Sequence, residues 1–367
     1  MGAKEEMLRL GRASFLAGRQ LGKSVMYVNG DMLLDGAQAL DRRERVYTLG
    51  VKNTGQIRRD YLRRLVDSGD FLWHTLDGMA EGGRAVHVDL LNPLTGRLMT
   101  GSSGATAVNV LLGINDLGLG TDGGGSVLAP ALSLNLVAVM AKGLGLTGVS
   151  QRTSTDGIGF IPGLGVISHS LSVARRAVET LLGEALPTPA APARIAVCRP
   201  GCLRLPDGSD MGERLEPVAR LLTAQGHDVT AVAVPDCRNR QVGIAELQEL
   251  LEEFDLVITR EGPVDVFGLG DSVLGQMGES AAEGQSQSGK YLVKIANMVN
   301  ATAVVIPVAD AAAGLVIVAR EGKMAGGLAL ATAAELAAAF PLPELYGRYF
   351  RDGYRRRTDD LIFSLNE

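Results

Sequence analysis

The stretch GSSGATAVNVLLGINDLGLGTDGGGSVLAPA, residues 101–131, holds two glycine–serine blocks joined by an apolar run. The first is Gly101-Ser102-Ser103-Gly104 and the second Gly120-Thr121-Asp122-Gly123-Gly124-Gly125-Ser126. Between 101 and 148 only Asp116, Asp122 and Lys142 carry charge, so the segment reads as a buried centre with several close backbone approaches. Consecutive glycines let neighbouring N–H groups turn towards one point, which is the requirement of an oxyanion hole. Ser126, closing the loop, would face that point as a nucleophile, and a serine hydroxyl needs a base. None of the four histidines sits in a Gly-x-Ser-x-Gly elbow. A lysine reached through a second serine is one alternative base.

Outward from this centre the chain alternates between strand and helix patterns. Lys4 to about Leu21 has helical spacing, and Val46–Lys52 reads as a strand. Asp60–Val66 and Leu72–Ala80 read as helix fragments, and Val86–Leu91 is an apolar run entering a turn at Asn92-Pro93. Three prolines within residues 183–194 mark a surface connection. Beyond it, strands are expected at Ile195–Cys198, Asp228–Val234, Leu256–Thr259, Ala303–Val308 and Leu315–Ala319. Helices are expected at Met211–Gln225 (with Asp210 as N-cap), Ile244–Glu253, Tyr291–Val299 and Ala325–Phe340. Such alternation implies an α/β layered fold.

Composition narrows the class. The chain has 367 residues, 46% hydrophobic, with a net charge of −5, which excludes a disordered chain. Three cysteines without zinc-ligand spacing and scattered histidines give no expectation of a metal, and no organic cofactor is expected. No apolar run reaches the roughly 18 residues of a membrane span, and the N-terminus has no apolar leader; a cytoplasmic protein is the expectation. The 47 glycines are about 13% of the chain against a usual 7% or so.

The two serine blocks together resemble the amidase signature family, whose core reads GSSGG followed by GTDxGGS and a Pro-Ala. Ser102 and Ser126 are 24 positions apart, as the two catalytic serines are in that family. Asn92-Pro93, Met140–Gly145, Phe254–Thr259 and the pair Asn300–Val308 and Gly314–Val318 extend the similarity over about residues 46–340. The resemblance implies an amidase signature fold, a mixed β-sheet sandwiched between layers of α-helices, in a shortened and divergent member. It divides the chain into an N-terminal segment (1–45), the amidase signature domain (46–345) and an aromatic and basic tail (346–367).

The resemblance also implies a Ser–cis-Ser–Lys triad. Ser126 would form the acyl-enzyme and Ser102, after a cis peptide, would relay its proton. N–H groups of Gly123, Gly124, Gly125 and Ser126 would hold the oxyanion, with Ser103, Thr121 and Asp122 in support. Lys52, ending an apolar strand in Gly50-Val51-Lys52-Asn53, resembles the family's lysine and is preferred as base, with Lys23 the alternative. Burial would lower its pKa and let it act neutral.

Two functions follow. One is an amidase that hydrolyses a small or polar carboxamide, or transfers its acyl group. The other is a non-catalytic amidase-fold protein serving as a binding partner, motivated by Val127-Leu128 standing where the family has Ile-Arg. Substrate choice is expected from residues 201–210 and 262–287. Arg260 is a candidate for recognising an anionic group, while Asp255 and Glu261 read better as solvated loop charges. Gly118–Gly123 also matches GxGxxG, but no acid follows about 20 residues on, as a dinucleotide site would require. Neither nucleic acid nor membrane is an expected partner. A homodimer is an expectation, and the aromatic and basic tail reads as packing against the domain or a second subunit.

Overall fold

Alternating apolar runs and turns become fifteen strands among the residues described, 2–189, 192–267 and 270–352 of a computed structural model. In chain order they are β1 (Val25–Val28), β2 (Tyr47–Lys52), β3 (Phe71–Asp77), β4 (Val86–Leu91) and β5 (Leu98–Thr100). Then come β6 (Leu117–Asp122), β7 (Val137–Met140), β8 (Arg152–Thr153), β9 (Gly159–Phe160) and β10 (Gly163–Ser168). The last are β11 (Arg194–Cys198), β12 (Asp228–Val232), β13 (Leu256–Glu261), β14 (Thr302–Pro307) and β15 (Gly314–Ala319). Eleven of them build one sheet in the order β1-β3-β2-β6-β10-β7-β14-β15-β13-β11-β12, while β4–β5 and β8–β9 are separate hairpins.

The sheet is mixed. Parallel pairings join β2 to β3 and β6, and β11 to β12 and β13; the others are antiparallel. Central strands are buried along their length, as apolar strands covered by helices must be. Helices Gly104–Leu111, Leu128–Ser133, Leu171–Leu182, Met211–Ala224 and Lys323–Ala339 pack on it. Asp210 caps the fourth of these, its carboxylate accepting from Glu213 N at 3.0 Å. Among the described residues no single helix is long and apolar enough to cross a membrane.

Two glycines explain how the central helix sits so close. A Cβ on Gly118 would lie 2.4 Å from Thr106 Cγ2, and one on Gly120 would lie 2.8 Å from Ser103 Oγ. Side chains at these positions of β6 would push helix Gly104–Leu111 off the sheet.

Two expected helices are not helices. Leu72–Ala80 lies mostly in β3, which pairs with β1 and β2. Its Leu, Trp and Thr residues fit a pleated, covered surface, and sheet pairing overrides the local spacing. Residues 291–299 contain only one 3₁₀ turn, Leu292–Lys294, because the backbone leaves helical geometry at Ile295 (φ −125°, ψ −17°); Glu261 accepts from the N–H groups of Tyr291 and Val293 at 2.7 and 3.3 Å. The N-terminal segment supplies the edge strand β1, and its Leu10 and Met32 form a small apolar cluster with Val46 and Leu72. Of the C-terminal residues, Tyr346 packs inward and donates to Leu134 O at 2.8 Å; Tyr354 and Arg355–Arg357 lie outside the described residues.

Candidate active site

Because β2 and β6 are neighbouring parallel strands, their carboxyl ends lie at the same edge of the sheet. Lys52 ends the first and Asp122 the second. The carboxyl end of parallel strands is where α/β sheets usually present ligand sites. Between Asp122 and the helix starting at Leu128 runs the glycine loop, and helix Gly104–Leu111 begins just after the first serine block.

Lys52 Nζ donates to Ser102 Oγ at 2.6 Å and approaches Thr121 O and Thr121 Oγ1 at 3.3 and 3.4 Å. Lys52 is 3% exposed and Ser102 4% exposed, so this contact is shielded from bulk water. Burial lowers the Lys52 amine to about 8, against the opposing pull of the Asp122 charge. Lys23 lies exposed in a turn. The Gly101–Ser102 peptide is cis. Ser103 N donates to Ser126 O at 3.1 Å, which ties the two serine blocks together. The Ser126 hydroxyl has no hydrogen-bond partner among the described residues, and Ser126 is half-buried on the wall of a cavity of about 530 Å³.

Asp122 organises the loop. Its carboxylate accepts from Gly125 N and Val127 N at 2.7 Å and from Leu128 N at 3.1 Å. Burial pushes this carboxyl up from its ordinary range, and those three N–H groups oppose the push. One expectation changes here. Gly125 N–H is committed to Asp122, so Gly125 is not a free oxyanion donor; its φ of 98° makes the turn instead. The N–H groups of Gly123, Gly124 and Ser126 have no acceptor among the described residues. Ser103 Oγ, also expected in support, is buried without a partner, so its part is played by its backbone.

Some contributors carried no local signal. Asn297, in a segment read as helix, donates from Nδ2 to Gly123 O at 3.3 Å and Ile161 O at 3.2 Å. Its Oδ1 accepts from Gly163 N at 2.7 Å. Phe160 packs where a Cβ on Gly123 would come within 2.2 Å of its ring. The cavity also takes in Arg152, Asp156, Arg238, Arg240, Lys290 and Lys294. Those side chains come from segments far apart in the chain, a convergence no spacing rule reports.

The remaining specificity expectations fare unevenly. Residues 262–287 do line the cavity, through Gly270, Ser272, Gln276 and Gln285, but residues 201–210 do not. Arg260 is buried and paired with Asp310, away from the cavity wall. Glu261 is not solvated; it is fully buried, accepts from Thr259 Oγ1, and is raised by burial to about 7. Cys237 is buried at the cavity wall, its thiol pushed up to about 12 by burial.

No family model matches the chain, and no curated protein matches it by sequence. Solved structures do match over nearly the whole length. An amidase is 18% identical over 92% of this chain and 95% of its own, with a TM-score of 0.65. One component of the Thermotoga maritima glutamyl-tRNA(Gln) amidotransferase is 16% identical over 93% and 95%, with a TM-score of 0.62. A 6-aminohexanoate cyclic dimer hydrolase is 14% identical over 93% and 94%, with a TM-score of 0.59. The architecture of this chain is the α/β fold of amidase signature structures.

Proposed function

We propose that the protein is an amidase that cleaves a carboxamide through an acyl-enzyme on Ser126. The observation that carries this reading is the shielded 2.6 Å contact between Lys52 and Ser102, on one cavity wall with Ser126. The likeness to amidase structures supports it at the level of fold.

In the proposed reaction Lys52 begins as a neutral amine, which its lowered pKa of about 8 permits near neutrality. Ser126 Oγ attacks the carbonyl carbon, its proton passes to Ser102 Oγ, and the Ser102 proton passes to Lys52 Nζ. The carbonyl oxygen becomes an oxyanion within reach of the N–H groups of Gly123, Gly124 and Ser126, each such donor typically supplying a few kcal/mol. As the C–N bond breaks, Lys52 returns its proton through Ser102 to the leaving nitrogen. Water then attacks the acyl-enzyme by the same relay and releases the carboxylic acid and Ser126.

A fluorophosphonate probe and ammonia release from a panel of primary amides test this together. Labelling of the wild type at Ser126, lost in Ser126→Ala along with ammonia release, is the expected result. Undiminished labelling of Ser126→Ala would overturn the assignment of the nucleophile.

A further inference from the structure

The charge around the cavity is one-sided. Lys52, Arg152, Arg238, Arg240, Lys290 and Lys294 line it, with Asp156 the one acidic residue in its wall among the described residues, although the chain as a whole is acidic. Two of these cations are neutralised: Lys290 by Asp265 at 3.0 Å and Arg240 by Asp156 at 2.8 Å. Lys294 is not. Its Nζ donates to Cys237 O at 3.1 Å and has no carboxylate partner among the described residues. Arg152 and Arg238 are exposed at the rim, also without an acidic partner among the described residues. A partly buried ammonium facing a cavity without a counter-ion is costly unless something anionic visits it.

Of these charges, Arg240 lies directly against the glycine loop. A Cβ on Gly124 would lie 2.9 Å from Arg240 Nη2 and 3.6 Å from Lys294 O. Arg240 Nη2 donates to that same carbonyl at 3.3 Å, and Arg240 Nε is buried without a partner. The Arg240 guanidinium therefore borders the N–H groups that await an oxyanion, while the Lys294 ammonium sits by Cys237 on the wall of the same cavity.

We propose that the amide this site acts on carries a carboxylate at its far end, a few carbons from the reacting carbonyl, held by Lys294, with the Asp156-paired Arg240 beside it. Arg152 and Arg238 raise its concentration at the entrance. Burial holds the Lys294 amine below its ordinary value, and a bound carboxylate would restore it. The word substrate rests on the amidase reading; binding of the anion does not.

Two matched comparisons separate the claims. Glutaramate and pentanamide have the same chain length and differ in the terminal carboxylate, so ammonia release from each gives a ratio of kcat/KM. The ratio is expected to favour glutaramate by about 10- to 100-fold, the discrimination typical of a charge-assisted contact, and to fall about tenfold or more in Lys294→Met. Calorimetry of glutarate against glutaramide on Ser126→Ala reads binding without turnover, with glutarate expected to bind more tightly. Equal turnover of both amides would leave the amidase reading intact and overturn the carboxylate. Glutarate binding that Lys294→Met weakens, with no amide cleaved, would overturn the amidase reading and keep the anion site. Absence of glutarate binding refutes the site. Should Lys294→Met fail to fold, Arg238→Gln, at an exposed position, is expected to lower the ratio less and to flatten its dependence on salt; an unchanged salt dependence counts against the proposal.

Discussion

Replacing Lys52 by Met separates two consequences of burying one amine. In the wild type the group sits at 3% exposure, and burial brings it from 10.5 to about 8. At about 1.4 kcal/mol per pH unit, the folded protein bears a cost of about 3 kcal/mol for holding it charged. Below pH 8 both folded and unfolded chains carry the proton and the cost is present in full. Between pH 8 and 10.5 the folded chain releases the proton while the unfolded chain keeps it, so wild-type stability climbs. Lys52→Met has no such titration. Its unfolding free energy relative to the wild type is therefore expected to shift against the variant by about 2–3 kcal/mol between pH 6 and pH 10, with the lost Ser102 hydrogen bond only moving the baseline. Urea unfolding followed by circular dichroism at pH 6, 8 and 10 measures this. In parallel, wild-type kcat/KM should rise about tenfold per pH unit below 8 and level off above it if, as in the proposed reaction, the neutral amine is the active form. The variant should lose about 10²- to 10⁴-fold in rate, the usual range for a general base. A stability difference constant from pH 6 to 10, together with a flat wild-type rate profile, would refute the idea of a desolvated base at Lys52.

Asp122→Asn replaces a carboxylate that accepts three N–H groups by an amide with one accepting oxygen. A loss of about 1–3 kcal/mol in stability and slower fluorophosphonate labelling of Ser126 are expected; unchanged melting and labelling would show that the loop is braced otherwise. Asp77 is fully buried, with Oδ2 lacking a partner, and burial raises it to about 7. Because its folded pKa lies above the unfolded value, the wild type loses stability as pH rises from about 4 to 7 and then levels. Asp77→Asn should gain on the wild type by about 2–4 kcal/mol over that interval, read from urea midpoints at pH 4, 5.5 and 7, and parallel curves would contradict this.

Much of the sheet was legible because its strands are apolar runs bounded by turn residues. β11, β13, β14 and β15 fall within a residue or two of their expected places. The failures share a cause. Residues 72–80 have a spacing that suits a helix taken alone, yet a slot between β1 and β2 takes them as strand. Residues 291–299 break after one turn at Ile295, and their polar groups bond to partners far off in the chain: Glu261 takes the N–H of Tyr291, and Asn297 reaches Gly123 and Gly163. The same limit governs the site. Gly125 was one glycine among three until the Asp122 carboxylate took its N–H.

The sequence by itself determined the chemistry on offer: two serine blocks 24 positions apart, a glycine loop, and a lysine closing an apolar strand. These are local patterns, in which residue type and spacing already restrict what the backbone can do. Only the tertiary structure decided which of the seven lysines meets Ser102, because that depends on β2 lying parallel beside β6. It alone also gathered Arg152, Arg238, Arg240 and Lys294 around one cavity. Desolvation and charge convergence are properties of neighbours in space, and the chain order of those neighbours carries no trace of them.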